Sequence, residues 1–193
     1  MSAVPLSGER LEIYVEEPSM DQFLRGLLPR ILPLAWRLDS NVFIRPHEGK
    51  TDLQRSLRRK VGALHTYGQP VNLLVIHDQD QNDCVELKQR LNRVIADQQK
   101  EPFRTLVRIA CRELENWYLG DLAHLFPSKA KLAGKAKYRH VDKLVGSAEL
   151  ASEVSKEGKI GLARRCGRSI AIASNTSASF RATVAAITRL TAG

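Results

Sequence analysis

The stretch Val71-Asn-Leu-Leu-Val-Ile76 constrains this chain more than any other segment. It is short and almost wholly apolar, it follows the stop signal Gly68-Gln-Pro70, and it runs into His77-Asp78-Gln79-Asp80. Such a run reads as a buried strand. Asp78 and Asp80, at period two, point to the same side of an extended backbone, at the carboxyl end of the strand, where open α/β sheets place their ligands. A second strand candidate at residues 11–15 delivers Glu16 and Glu17 at its own carboxyl end. Three or more carboxylates are therefore expected at one sheet edge.

The neighbouring segments supply the rest of an α/β pattern. Pro18-Ser-Met-Asp-Gln22 reads as a helix start, with Ser19 as cap and Gln22 completing a capping box. Phe23, Leu24, Leu27, Leu28 and Ile31 then recur at helical spacing, with Pro29 expected to shorten or kink the helix and Pro33 at or beyond its end. A short strand at 42–44 precedes Gly49 and a helix over about 51–67. Asp83 with Glu86 opens a further helix through about Gln99, residues 103–110 alternate as a fourth strand, and a helix follows over about 114–125. Strand and helix alternating four times predict a largely parallel sheet with helices on both faces.

Beyond Phe126-Pro127 the texture changes. Residues 128–138 are rich in lysine and nearly without large apolar side chains, which reads as an exposed loop. Helices are expected over about 140–147, 159–173 and 177–190. Too few apolar residues follow for an independent core, so the chain of 193 residues is read as one domain, with an α/β core over 1–127 and a basic, mainly helical part over 128–193. No apolar run approaches the roughly 20 residues that cross a bilayer, and the polar amino terminus lacks a signal-peptide core, so a cytoplasmic protein is expected. Cys84, Cys111 and Cys166 are widely spaced, with no Cys-x-x-Cys pair, and read as reduced thiols.

The net charge of +9 is unevenly spread. Residues 1–128 hold 17 Lys and Arg against 17 Asp and Glu, whereas residues 129–193 hold 13 against 4. A basic final third suits a polyanion such as DNA or RNA, because each cation that neutralises a phosphate releases condensed counterions. Lys129, Lys131, Lys135, Lys137, Arg139, Arg164 and Arg165 are the candidate phosphate contacts.

An oxygen-only set of Glu16, Asp78 and Asp80 suits Mg²⁺ or Mn²⁺ better than zinc. Acids after a strand also cap helices, and Asp83 is read as such a cap. Glu113 and Glu115 form another acidic pair: they share one side if the fourth strand runs on through Glu115, and diverge if a helix starts earlier, so that only one joins the cluster. Trp117 and Tyr118 read as core, and His77 as a structural histidine that can also serve in proton transfer. Lys156 and Lys159 offer cations, and Ser177 with Ser179 offers hydroxyls to a phosphate or a plain helix cap. No Walker loop or Gly-x-Ser-x-Gly elbow is present.

Leu11-Glu-Ile-Tyr-Val-Glu16, Phe23-Leu-Arg-Gly-Leu-Leu28, Val75-Ile-His-Asp-Gln-Asp80, Arg112-Glu-Leu-Glu-Asn-Trp-Tyr-Leu119 and Ser177-Ala-Ser-Phe180, in this order and spacing, resemble the bacterial domain-of-unknown-function family 4276. That family is regarded as TOPRIM-like. The resemblance implies Glu16 as the first-strand glutamate, Asp78 and Asp80 as the Asp-x-Asp metal ligands, Glu113 or Glu115 as a further catalytic residue, an Mg²⁺-dependent nuclease activity, and an ATPase partner in anti-phage defence; Lys159, as a cation for a phosphate, is a further catalytic candidate. Glu17 stands where the family has glycine, and Met20 where it has a second acid. Those departures motivate an alternative: a catalytically inactive binding or regulatory subunit of an ATPase complex.

Overall fold

The computed structural model describes residues 8–101, 103–155 and 157–192. Four strands, β1 (Arg10–Val15), β2 (Val42–Pro46), β3 (Val71–Asp78) and β4 (Thr105–Ala110), form one sheet in the order β2-β1-β3-β4, with every pairing parallel. Between them run α1 (Pro18–Ile31), α2 (Lys50–Lys60) with a 3₁₀ turn Val61–Tyr67, and α3 (Cys84–Gln98). After β4 come α4 (Glu115–Leu119), α5 (Leu122–Leu125), α6 (Ala130–Ala133), α7 (Gly146–Glu149), α8 (Lys159–Ser169) and α9 (Ala178–Thr191). Shorter turns at Pro127–Lys129, Ala136–Lys143 and Leu150–Val154 join these last helices. The expected strand and helix alternation and the parallel sheet are both present.

Period-two alternation sorts the strand residues onto two covered faces. Leu11, Ile13, Val15, Leu74 and Ile76 meet α1, α4, α8 and α9, while Tyr14, Leu73, Val75, Val107 and Ile109 meet α2, α3 and the 3₁₀ turn. All 8 residues of β3 are buried as a result, which only a nearly unbroken apolar run can tolerate. The strand is two residues longer than its apolar run, because its pairing with β4 carries on through His77↔Ile109 and Asp78↔Ala110. One charge is buried in the sheet itself: Glu12 on β1 is fully buried and takes both Arg10, at 2.6 Å, and Arg45, at 2.9 Å.

Local capping differs from expectation at α1. Pro18 occupies the first turn, Glu17 is the cap residue, and Ser19, instead of capping, is buried and donates its hydroxyl to Glu17 Oε2 at 3.1 Å. A proline at the helix start has no N–H to leave unsatisfied, so the start shifts to it. Pro29 does not end the helix, which continues to Ile31. At α3 the expectation holds, with Asp83 accepting from the N–H groups of Val85 and Glu86. The helix expected over 114–125 is two short helices broken at Gly120-Asp121. A Cβ at Gly120 would collide with Asn175 and with Ser177 N.

The basic third is no appendage, because its apolar residues share one core with the strands. Leu162, Ala163, Cys166, Ile170, Phe180, Ala186, Ile187 and Leu190 are all buried there. The contacts Glu17–Lys159, Gln22–Arg164, Gly26–Arg168 and Arg30–Ile170 follow one another in the same order along α1 and α8, so these helices lie side by side and parallel. Their backbones touch at two glycines: a Cβ on Gly26 would come 2.6 Å from Arg168 N, and one on Gly167 would fall on the Phe23 carbonyl. Arg30 closes the carboxyl end of α8 through the carbonyls of Gly167 and Ile170, at 3.1 and 2.8 Å. Residues 128–138, expected as a loop, form short helical turns that expose their lysines and bury Tyr138, with Val141 buried just beyond. Among the described residues, no helix is long and apolar enough to cross a membrane.

Because backbone atoms cannot move aside as a flexible side chain can, Gly26→Ala or Gly167→Ala should cost about 1–3 kcal/mol or more in urea unfolding. Gly134→Ala, whose added methyl meets only the Lys131 carbonyl at 3.7 Å, should leave stability nearly unchanged.

Candidate metal centre at the carboxyl edge of the sheet

The carboxyl ends of β1 and β3 are adjacent, since Val15 pairs with Ile76. Glu16 therefore lies beside the last turn of β3, and its Oε2 accepts from the Asp78 N–H at 3.1 Å and sits 2.9 Å from His77 Nδ1. His77 Nδ1 is also 2.6 Å from the Asp78 carbonyl. Facing two acceptors, Nδ1 must carry the ring proton, which leaves Nε2 to accept from Gln54 Nε2 at 3.3 Å. His77 thus lies against Glu16, buried beside α2, with its Nδ1–H given to the Asp78 carbonyl.

A third acid comes from α4. The fourth strand ends at Ala110 and the helix begins at Glu115, so Glu113 and Glu115 diverge. Glu115 is buried at the acidic edge, with Oε1 3.9 Å from Lys159 Nζ. Glu113 turns away and accepts the Ser147 N–H at 2.8 Å, tying down α7. Lys159, the first residue of α8, forms a 2.5 Å ion pair with Glu17 and so stands between Glu17 and Glu115.

Asp80 does not join Asp78. The strand stops at Asp78, Asp80 adopts a left-handed backbone with φ of 53°, and its carboxylate pairs with Lys50 Nζ at 3.2 Å. The period-two alignment expected of Asp-x-Asp fails because the backbone is no longer extended there. Lys50 follows Gly49, whose N–H bonds the Glu16 carbonyl at 2.9 Å, so Asp80 flanks the acidic edge without entering it. Among the described residues, no group of three or more His, Cys, Asp or Glu converges tightly enough to hold a metal ion.

Charge at this edge is nevertheless unbalanced. Burial, then the nearby Glu16, Glu115 and Glu17, push the Asp78 carboxyl well above the usual carboxylate range. Burial likewise raises Glu115, against the opposing pull of Lys159. Burial alone would lower Lys159, but the hydrogen bond it donates to Glu17 and the charges of Glu115, Glu17 and Asp78 win and raise it. An all-oxygen donor set with an excess of negative charge fits a hard dication such as Mg²⁺ or Mn²⁺ in its chemistry.

The other candidate residues are spread more widely. Lys129, Lys131, Lys135 and Arg139 are exposed; the turns that carry Lys129 and Lys131 pack beside α5, and the one that carries Arg139 packs beside α4, where Asn116 Nδ2 donates to the Val141 and Leu144 carbonyls at 2.6 and 3.0 Å. Lys137 pairs with Glu149 at 2.8 Å. Arg164 donates to Gln22 at 2.9 Å, and Arg165 is held by Glu157 and by the Leu125 carbonyl, at 3.0 and 3.1 Å. Ser177 caps α9, and the place a phosphate would take at that helix start is filled by Asp142, which accepts from Ser177 Oγ at 2.6 Å and Ser179 N–H at 3.0 Å. Lys156 lies outside the described residues. Trp117 and Tyr118 are core, with Trp117 Nε1 donating to Ser179 Oγ at 2.9 Å. Sequence reasoning missed Lys50 and Asp142, for which no local pattern gives a signal, and took Glu17 as a departure from a family pattern, not as the partner of Lys159.

No family model, no curated protein and no solved structure matches the chain.

The raised carboxyls make the folded chain bind more protons than the unfolded one. Their contribution to stability is present below the ordinary carboxylate range, about pH 4, and is lost as pH rises through the elevated values. Asp78→Asn should therefore raise Tm by a few degrees at neutral pH in chelator-treated buffer, and this gain should vanish in acid. Calorimetry across pH checks the sign.

Proposed function

We propose that the chain is a TOPRIM-like, Mg²⁺- or Mn²⁺-dependent nuclease that hydrolyses nucleic acid phosphodiesters. The observation that carries this reading is the crowding of Glu16, Asp78 and Glu115 at the carboxyl edge of a parallel sheet, with Asp78 raised by burial and by the other acids. As the chain stands these acids are not close enough to hold an ion, so Glu16, Asp78 and Glu115 would have to draw together around it, with Asp80 outside the set. Bound there, the ion supplies Lewis acidity toward a phosphodiester oxygen and a more acidic water.

The protein's own groups supply the rest. The Asp78 N–H fixes the Glu16 carboxylate, with the His77 ring packed against it. Lys159, exchanging Glu17 for a non-bridging phosphate oxygen, offers a charge-assisted hydrogen bond. The amino termini of α1 and α8 both open toward this edge and add partial positive charge. Lys129, Lys131, Lys135 and Arg139, exposed on the turns after α5, suit backbone phosphates. Anti-phage defence and an ATPase partner rest on the resemblance to family 4276 alone, and a cytoplasmic setting on the sequence's lack of a long apolar run and a signal-peptide core.

One observation favours a second reading. Lysine ammonium groups already neutralise the acids, Lys159 at Glu17 and Lys50 at Asp80, which suits a binding or regulatory subunit that has kept the fold without the chemistry.

Purified protein incubated with supercoiled plasmid, linear DNA and RNA in Mg²⁺ or Mn²⁺, beside an EDTA control, separates the two. The nuclease reading expects metal-dependent cutting that falls by about 100-fold or more in Asp78→Ala. Equal cutting by the variant overturns it, and salt-sensitive binding without metal or cleavage selects the second reading. Under either reading, replacing Lys129, Lys131, Lys135 and Arg139 together by Gln should flatten the salt dependence of duplex binding. The log–log slope should fall by about 0.9 for each phosphate that is no longer neutralised, read by filter binding across a salt series.

A further inference from the structure

Cys84 and Cys111 belong to neither the acidic edge nor any motif discussed above, yet their Sγ atoms lie 3.8 Å apart. Cys84 opens α3 directly after its cap Asp83, and Cys111 is the first residue past β4. The loops beside them are already bonded together: Gln79 N–H to the Ala110 carbonyl at 2.9 Å, Asp80 N–H to the Arg112 carbonyl at 3.0 Å, and Arg112 N–H to Gln79 Oε1 at 3.0 Å. The two sulfurs are therefore held as neighbours by backbone geometry.

Access distinguishes this pair from the third cysteine. Cys84 and Cys111 are both partly exposed and line an open groove of about 590 Å³ between α3, the free edge of β4 and α9. Val85 and Ser179 also border it. Cys166, by contrast, is fully buried in the core. A small thiol reagent can reach the first two sulfurs and not the third.

We propose that Cys84 and Cys111 form a reversible intramolecular disulfide, with a low-molecular-weight disulfide such as oxidised glutathione as the oxidant. The Cys84 thiolate attacks one sulfur of the reagent, the reagent's S–S bond breaks, and one glutathione leaves as thiolate and takes up a proton. The Cys111 thiol then gives up its proton, its sulfur attacks Cys84 Sγ, and the second glutathione leaves. Two protein thiols lose two hydrogens and one glutathione disulfide becomes two thiols. Cys84 is the attacking sulfur because it is the first residue of α3, where the helix amino terminus favours a thiolate, while burial and the neighbouring Cys84 push the Cys111 thiol up to about 12. Side-chain torsion closes the 3.8 Å gap to the about 2.05 Å of an S–S bond. The bond staples the turn that carries Asp80 to the segment that carries Arg112 and Glu113, and so braces one flank of the acidic edge.

The test uses the native, fully reduced chain, treated with oxidised glutathione, acid-quenched, alkylated under denaturing conditions, digested and examined by mass spectrometry. The expected product is a monomer two hydrogens lighter, with a Cys84–Cys111 cross-linked peptide and Cys166 alkylated, returned to the starting mass by dithiothreitol. Cys166→Ser should give the same cross-link, and Cys111→Ser should accumulate a glutathione mixed disulfide on Cys84. Alkylation of both Cys84 and Cys111 in the wild type, lasting glutathione adducts on both, or cross-links only between chains would overturn the proposal. An unmodified Cys84 in Cys111→Ser would overturn its role as the attacking sulfur.

Discussion

The close parallel contact of α1 with α8 is what the rest of the structure hangs on. Gly26 and Gly167 let two backbones meet where any side chain would intrude, and Arg30 locks the far end through two α8 carbonyls. Bringing α8 this near to α1 lets a segment with few apolar residues still complete the core with Leu162, Ala163 and Cys166. It also sets the register that delivers Lys159 to Glu17 and Glu115. Packing and site electrostatics are consequences of one contact.

The acidic edge shows how a fold gathers like charges. Adjacent parallel strands place Glu16 beside Asp78, the break after β4 turns Glu115 inward, and each is buried enough to lose water's screening. The chain offsets part of this with Lys159 and with the Asp78 N–H on Glu16. Burial first, and then the repulsion that remains, hold Asp78 and Glu115 above their ordinary range. A cluster kept only partly neutralised is costly to stability, and such sites are where function concentrates.

Much of the fold was legible because its signals are local. The apolar run ending at Ile76 marked a strand buried on both faces, and Asp83 with Glu86 marked the start of α3, where the side chain of Asp83 does cap. Ser19 misled because Pro18 outcompetes it for the helix start. Asp80 misled because a period-two argument assumes an extended backbone, and the chain leaves the strand two residues earlier. The serines at the head of α9 looked ready for an anion, but Asp142, 35 residues away, already fills that place. Lysine-rich composition in residues 128–138 suggested a loop, whereas Tyr138 anchors the end of that segment in the core.

The sequence by itself determined the order of strands and helices and which end of the sheet would be acidic, because hydrophobic period and the residues that follow each strand are properties of neighbouring positions. Only the tertiary structure decided which charges meet: Lys159 with Glu17, Lys50 with Asp80, Glu113 with α7 and Glu115 with the cluster. Those pairings span up to 142 residues, and they are set by helix register and by where backbones can touch, neither of which leaves a local pattern.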